Sequence, residues 1–495
     1  MRIVLSTPPA DGWLNFVGGP PPMGLLYVAA CLQVDPRTAV HVVDPTAEGL
    51  NAAEAAERIV ALEPDLFGIS VFSTNIERGI RLLKLVKELR PTVTTILGGV
   101  HATLFDELLL DQVPELDFAF RGEAEQGFPD LVSRLMKGAD VAGVAGLSHR
   151  RNGTIVRGTP GVVEDLDALM FPDCKGIDGV TYYESWGPMP LFGGLSVAGV
   201  ISSRGCPYKC SFCSKTSLGP ARWRTRSAEN IFEELNKLSH EGCDLVVFHD
   251  DNFSRSVGRL NRLCEMLLTA DLNMRFWFSG SVHHLSQSTL DLMQRVGFDC
   301  VAVGVESGSD KQLKRINKPA TRDMMAKGIQ RAKKSHMWVH TFFVVGTLGE
   351  NSGDHEESKR FVRELRPHFV DIFPLSIYPG SQLWGEVHGD RQVKTVADSK
   401  PRLIYEYEGQ LDGQTVIRRG RELLRTFLKS WLHPSRLLEL VHLIRYNRSF
   451  TLWFRGVVRR LPQMVSVIGM LKASFIASKG TNLDTAKYME WKKKH

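Results

Sequence analysis

The amino-terminal part of the chain alternates short apolar runs with amphipathic segments. Five runs have the length of buried strands, at residues 3–5, 40–43, 65–72, 93–97 and 117–120. Between the third and fourth runs lies a predicted helix with one apolar stripe, formed by Ile76, Ile80, Leu83, Val86 and Leu89. Strands that alternate with helices predict a parallel sheet covered on both faces. We therefore predict a doubly wound, Rossmann-like α/β domain over residues 1–143, with its ligands beyond the carboxyl ends of the strands.

A different pattern covers residues 144–195. Two polar-rich strand candidates, 146–150 and 154–157, flank Asn152-Gly153, a dipeptide suited to a tight hairpin turn. A stretch spotted with Pro and Gly continues to residue 195. We predict a hairpin and a linker between two domains.

A second series of strands, each followed by a helical segment, occupies residues 196–400. The candidates are residues 197–202, 245–248, 275–278, 300–305, 339–345 and 370–377. Six such repeats favour a partial (β/α)6 barrel of the TIM type over an open sheet. In such barrels the chemistry collects at the carboxyl ends of the strands.

We predict a basic, helical carboxyl-terminal region over residues 401–495. Between Arg418 and Arg460 there are eleven Arg or Lys residues against two acidic ones, interleaved with Leu, Trp431, Trp453 and Phe454. Such a helix can lie on an anionic membrane surface, and the same composition also describes a helix that packs its apolar face on the barrel and leaves arginine in water. The apolar stretch 465–477 is too short to cross a bilayer, which takes roughly 20 residues.

Composition narrows the class of protein. The chain has 495 residues, 43% hydrophobic and 23% charged, with a net charge of +6, so it is a globular protein of two or three domains. We see no signal-peptide pattern and expect a cytoplasmic protein, with peripheral contact to the membrane surface as the open alternative. Nucleic acid is not expected as a partner, because no recognised binding module accompanies the charge.

Three of the eight cysteines crowd into eight residues, as Cys206, Cys210 and Cys213. Three thiolates on one loop suit three irons of a [4Fe–4S] cluster and leave the fourth iron open to a small molecule. A structural zinc site is the rival, but zinc takes four ligands and no partner motif is visible. The other cysteines are expected to be buried thiols, with the role of Cys174 open; they are Cys31, Cys174, Cys243, Cys264 and Cys300.

The spacing CX3CX2C, with Phe212 before the last Cys, resembles the signature of the radical S-adenosylmethionine (SAM) superfamily. That resemblance implies a cluster that binds SAM and splits it to a 5′-deoxyadenosyl radical. It also implies SAM contacts at Phe212, Arg224, Asp251, Glu306 and Gly346. Two plainer interpretations stay open: Asp250 and Asp251 as helix caps, and Glu306 as an ordinary strand-end acid. After the third strand many relatives carry an arginine, whereas this chain has Ser279-Gly280-Ser281.

Four segments of the amino-terminal domain stand out, namely Thr7-Pro8-Pro9, Pro22-Met23-Gly24-Leu25, Gly98-Gly99-Val100-His101-Ala102-Thr103 and Arg121-Gly122-Glu123-Ala124-Glu125. With these segments the domain resembles the cobalamin-binding domains fused to radical SAM barrels. The resemblance rests on segments near the strand ends, where glycines let a large ligand approach the backbone. It implies cobalamin contacts at Thr7, Pro8, Pro9, Gly24, Ser70, Gly98, Gly99, His101 and Glu123. The Asp-x-His-x-x-Gly motif that supplies a histidine to cobalt is absent, as is usual in this branch. As alternatives, Gly98-Gly99 is a plain strand-to-helix turn and His101 a cap or surface residue.

The resemblance implies an enzyme with three cofactors, a [4Fe–4S] cluster, SAM and cobalamin, that methylates an unactivated carbon of a small molecule. Cyclisation, ring rearrangement or oxidation, as in relatives that act on tetrapyrroles, uses the same parts. A cobalamin or redox sensor that never cleaves SAM is the non-enzymatic alternative. A reducing partner such as flavodoxin or ferredoxin is expected. No catalytic side chain beyond the cofactor ligands is identified.

Overall fold

A computed structural model describes residues 1–10, 21–173, 196–219, 222–270, 272–388, 393–407, 409–433 and 435–447. The predictions for Cys174, Trp453, Phe454 and residues 465–477 lie outside the described residues.

The amino-terminal domain is built on a seven-stranded sheet. Its strands are β1 Arg2–Ser6, β2 Ala39–Val43, β3 Leu66–Ser70, β4 Thr94–Gly98, β5 Phe118–Phe120, β6 Leu147–Arg151 and β7 Thr154–Val156. Its helices are α1 Met23–Leu32, α2 Pro45–Glu48, α3 Ala52–Val60, α4 Ile76–Leu89, α5 Val100–Gln112 and α6 Gly127–Lys137. The strand order is β2-β1-β3-β4-β5-β6-β7, and the first five strands are parallel. The predicted doubly wound domain is confirmed.

Two details of this domain differ from the sequence prediction. Leu89 is 54% exposed although Leu82, two turns earlier on the same side of α4, is buried, because Leu89 is the last residue of the helix. The predicted hairpin forms, but it extends the first sheet: β6 pairs antiparallel with β5, and Leu147 is buried in the domain core. The backbone of β5 needs a partner on its free side, and the hairpin supplies it.

The second domain carries the other strands and helices. The strands are β8 Val197–Val200, β9 Ser203–Arg204, β10 Arg224–Thr225, β11 Leu245–Phe248, β12 Arg275–Ser279, β13 Phe298–Glu306, β14 Trp338–Val345, β15 Phe369–Pro374, β16 Ser376–Ile377 and β17 Arg402–Leu403. The helices are α7 Ala228–His240, α8 Val257–Ala270, α9 Gln287–Arg295, α10 Asp310–Arg315, α11 Arg322–Lys334, α12 Ser352–Leu365, α13 Gln382–His388, α14 Gly413–Trp431 and α15 Ser435–Tyr446. Six parallel strands form one sheet in the order β15-β14-β13-β12-β11-β8.

The two faces of this sheet have different environments. Along β14 the residues Val339, Thr341, Phe343 and Val345 are buried, whereas the alternate residues are only half-buried from position 340 onward. The buried face packs against the helices in one large core. The other face is an open interior, as expected of a partial barrel with parallel strands.

The basic carboxyl-terminal region packs on the barrel where the structure describes it. Helix α14 buries Val416, Arg419, Leu423 and Phe427, which recur at helical spacing. The packing interpretation is therefore confirmed for this helix. Among the described residues, no helix combines the length and apolarity needed to cross a membrane.

Candidate active site

The three clustered cysteines lie on one loop that leaves the first strand of the barrel. The loop begins after β9 at Gly205, whose φ of +83° suits glycine. Cys206, Cys210 and Cys213 are free thiols of intermediate exposure, and the Cys213 N–H donates to the Cys210 carbonyl at 3.0 Å. The sequence therefore places all three thiols on one short, turned segment.

Two neighbouring turns hold this cysteine loop. The Ser211 N–H donates to the Ile316 carbonyl at 3.0 Å, and the Ser211 carbonyl accepts from the Leu383 N–H at 2.8 Å. The Asn317 side-chain amide donates to the Lys209 carbonyl at 2.7 Å. These bonds fix the loop beside the turn that follows α10.

Burial dominates the electrostatics of the thiols. It raises the pKa of all three, that of Cys210 to about 11, while the Lys318 ammonium opposes the shift at Cys206 and Cys210. Burial also acts to lower the pKa of Lys318, but the Glu306 carboxylate and the thiols leave it above its ordinary value. A buried positive charge beside the cysteines suits thiolate ligands of a cluster.

Glu306 ends β13 in a left-handed conformation with φ of +65°. Its Oε1 accepts from the Lys318 ammonium at 2.9 Å. A Cβ at Gly304 would collide with that carboxylate oxygen, so the glycine makes room for the Glu306 side chain. The predicted SAM contact thus lies beside the cysteine loop, where its charge reaches Cys210 and Cys213.

Asp250 and Asp251 differ in role, and neither caps a helix. The buried Asp250 carboxylate accepts from the Ser202 N–H at 2.8 Å and from the Ser202 and Ser203 hydroxyls, which ties the ends of β8 and β11 together. Asp251 pairs with Lys215 at 2.8 Å. Its charge reaches Cys206 and Cys213, so Asp251 is the member that faces the cysteine loop.

Gly346 opens the turn after β14 with φ of +82°. Its N–H donates to Glu350 Oε2 at 2.8 Å, and Glu350 Oε1 pairs with Arg419 at 2.8 Å. Both side chains of that pair are more than nine-tenths buried. Helix α14 therefore supports the glycine turn that we predicted to contact SAM.

Arg224, another predicted SAM contact, is engaged with the first domain. Its guanidinium binds both carboxylate oxygens of Glu123 at 2.5 and 2.9 Å, as well as the Val163 carbonyl. Arg204, directly before Gly205, binds Glu125 at 2.6 Å and approaches Glu123 at 3.4 Å. We call Glu123, Glu125, Arg204 and Arg224 the interdomain charge cluster.

A cavity of about 140 Å³ lies at the carboxyl ends of the first sheet, near the point between β1 and β3 where the strand order reverses. Its lining includes five predicted cobalamin contacts, Gly24, Ser70, Gly98, Gly99 and Glu123. A Cβ at Gly24 would meet nothing within 4 Å, and one at Gly98 would meet only Phe120 at 3.8 Å. The glycines thus leave a cradle that suits part of a large ligand.

The other predicted cobalamin contacts do not line this cavity. Thr7 donates to Asp44 at 3.2 Å, and Pro8 and Pro9 are buried. His101 is fully buried between the Ser73 hydroxyl at 3.0 Å and the Ser399 hydroxyl at 3.3 Å. Burial lowers the pKa of His101 to about 4. The site assignments as a whole stay predictions.

Phe212, within the cysteine loop, packs against the barrel core.

Among the described residues, no group of three His, Cys, Asp or Glu side chains is close enough together to hold a single metal ion. The roles of Lys318 and Arg419 were not accessible from the sequence, because their partners Glu306 and Glu350 lie 12 and 69 residues away along the chain. Arg204 lies two residues before the first cysteine of the loop, but its partners Glu123 and Glu125 lie about 80 residues earlier.

Comparison with known proteins identifies both domains. Residues 200–362 match the family model of the radical SAM superfamily, and residues 14–132 match that of the B12 binding domain. An uncharacterized methyltransferase of Pyrococcus horikoshii is 28% identical over 390 residues, which cover 78% of this chain and 82% of that protein. The anaerobic magnesium-protoporphyrin IX monomethyl ester cyclase of Rubrivivax gelatinosus is 27% identical over 400 residues, or 79% and 70% of the two chains.

Among solved structures, the radical SAM methyltransferase TsrM from Kitasatospora setae, with cobalamin and a [4Fe–4S] cluster bound, superposes with a TM-score of 0.65. The sequence identity between the two chains is 17%, and the match covers 78% of this chain and 74% of TsrM, which supports a shared fold. The cofactors of this chain are a [4Fe–4S] cluster, SAM and cobalamin. The chain belongs to the family of cobalamin-binding radical SAM enzymes.

Proposed function

We propose that this enzyme is a cobalamin-dependent methyltransferase that acts on an unactivated carbon of a small-molecule, natural-product or lipid-like substrate. The observation that carries the proposal is the interdomain charge cluster. Arg204 adjoins the cysteine loop, while Glu123 lines the glycine cavity of the first domain. The ion pairs of this cluster therefore hold the two candidate cofactor sites next to each other, as a reaction that uses both cofactors requires.

The chain's own residues have separable roles in this proposal. Cys206, Cys210 and Cys213 would hold the cluster, with Lys318 offsetting their negative charge. Asp251, Glu306 and the Gly346 turn would hold SAM, and Gly24, Ser70, Gly98 and Gly99 would hold cobalamin. When these groups are bound, the chemistry they supply is reductive cleavage of SAM and delivery of a methyl group.

Similarity to two methyltransferases favours methyl transfer. Cyclisation of a tetrapyrrole-like substrate is the second candidate, because the cyclase of R. gelatinosus aligns over 79% of this chain. A small acidic electron carrier such as flavodoxin or ferredoxin would reduce the cluster. We further propose a cytoplasmic protein whose basic carboxyl-terminal region contacts the membrane surface.

The two reactions differ in how SAM is consumed. Protein reconstituted without oxygen with iron, sulfide and cobalamin is mixed with SAM and a strong reductant, and both SAM products are measured. A methyltransferase gives 5′-deoxyadenosine and also S-adenosylhomocysteine, which remains when SAM gives up its methyl group. The second product should require cobalamin.

The alternatives give other product patterns. 5′-Deoxyadenosine without cobalamin-dependent S-adenosylhomocysteine would favour cyclisation and refute methyl transfer. Neither product from protein with an intact cluster would favour the sensor. A Glu123→Gln variant, compared with the surface variant Glu77→Gln, should reduce S-adenosylhomocysteine selectively, because Glu123 lines the cavity.

A further inference from the structure

Helix α14 carries a second apolar stripe that the barrel does not cover. Its exposed members are Ile417, Leu424 and Leu428, with exposed fractions of 49%, 39% and 55%, and Leu432, directly after the helix, is 84% exposed. They lie on a different face from Val416, Leu423 and Phe427, which pack against the barrel. Packing of the helix on the barrel thus leaves a row of apolar side chains in solvent, interrupted by the exposed Arg421.

Basic side chains run alongside this stripe. Arg418, Arg421, Arg425 and Lys429 are all exposed, each within one turn of an exposed Ile or Leu. The acidic residue of this helix, Glu422, is already bound by His355 at 3.0 Å and by Arg418 at 3.3 Å. The exposed face of α14 therefore combines apolar side chains with a strong positive charge, most of which lies along one edge of the apolar row.

The positive charge on the exposed face of α14 indicates which kind of partner binds there. A second copy of the chain on a two-fold axis would bring the same arginines against one another, which is unfavourable. An anionic lipid surface suits both kinds of side chain, because the leucines can enter the acyl boundary while the arginines contact the headgroups. We propose that the exposed face of α14 docks on an anionic membrane surface. This inference rests on the proposed membrane contact and is independent of the chemistry in the barrel.

The test is co-sedimentation of the full-length holoprotein with large vesicles of phosphatidylcholine, alone or with 30% phosphatidylglycerol. Binding is expected to the anionic vesicles only and to weaken in 0.5 M salt. The variant R421E/R425E should lose at least about twenty-five-fold in affinity, since each basic residue at an anionic surface contributes about five-fold. L424S/L428S should also lose most of the binding.

Matched controls change the same residue types elsewhere. Leu268→Ser on α8, where Leu268 is 42% exposed, and Lys334→Glu at the end of α11 should bind as the parent does. Thermal unfolding and 5′-deoxyadenosine formation in solution report separately on the fold and on the proposed chemistry.

Several outcomes would overturn the proposal. They are no binding by the parent protein, equal binding to neutral vesicles, or equal loss of binding in the control variants. A dimer in sedimentation velocity that L424S/L428S dissociates would assign the stripe to self-association instead.

Discussion

The interdomain charge cluster offers a quantitative test of how the two domains are joined. The perturbation is Arg204→Gln, which removes a guanidinium whose side chain is 14% exposed. The change leaves the Glu125 carboxylate, only 5% exposed, without its cation, while Glu123 keeps Arg224. It also removes the contact of Arg204 with the Tyr27 ring, at 5.4 Å from the ring centroid.

The magnitude follows from the cost of an uncompensated buried charge. Breaking a buried pair by removing one partner costs about 3–5 kcal/mol. For domains of this size, 1 kcal/mol corresponds to about 2–4 °C in melting temperature. Because Gln retains part of the hydrogen bonding, we use the lower bound and expect the melting temperature to fall by about 6–12 °C.

The assay is thermal unfolding by circular dichroism, with a double-mutant cycle. Glu125→Gln alone should destabilise less, and Arg204→Gln/Glu125→Gln should be more stable than the sum of the single changes by about 2 kcal/mol. The matched control is Arg222→Gln, whose exposed pair with Glu164 should contribute no more than about 1 kcal/mol.

Two results would refute this reasoning. One is a melting temperature for Arg204→Gln as close to the parent as that of Arg222→Gln. The other is strict additivity in the cycle, which would mean that Arg204 and Glu125 do not stabilise each other.

Three further predictions concern stability. Asp250→Ala should destabilise by about 3 kcal/mol or more in urea unfolding, because three buried donors lose their acceptor at about 1–3 kcal/mol each; equal loss in Asp251→Ala would contradict this. Arg419→Met should cost about 3 kcal/mol and raise the KM for SAM, because Glu350 supports the Gly346 turn; an unchanged KM would separate that turn from SAM binding. The pKa of His101 is about 4 in the folded protein and 6.5 in the unfolded chain. The contribution of neutral His101 to stability is therefore complete above pH 6.5 and declines by about 3 kcal/mol in total as the pH falls to 4 and below. His101→Gln should make the melting temperature less dependent on pH over this range, and an unchanged pH slope would contradict the assignment.

The local pattern of apolar runs was enough to predict where the strands of the seven-stranded and six-stranded sheets lie. The range 245–248 is both the predicted and the observed extent of β11, because a short apolar run with turn residues at each end leaves little choice of boundary. Leu89 was misplaced because the burial of a helix end depends on what lies beyond it, which periodicity does not contain.

The candidate site was predictable where it is local in sequence. Cys206, Cys210 and Cys213 share one loop, and the glycines at the strand ends share one edge of a parallel sheet. The pairing of Arg224 with Glu123, about a hundred residues apart, was not accessible from the sequence. The sequence does not distinguish Glu123 from the other carboxylates of the first domain as the partner of Arg224, because that choice depends on how the two domains pack.

The most direct test of the central claim is 5′-deoxyadenosine formation from SAM by the reduced, reconstituted protein, compared between the parent, Cys210→Ala and the buried-thiol control Cys264→Ala. Product from the parent and Cys264→Ala, but not from Cys210→Ala, is expected. No product from parent protein shown by its spectrum to carry an intact cluster would contradict the account.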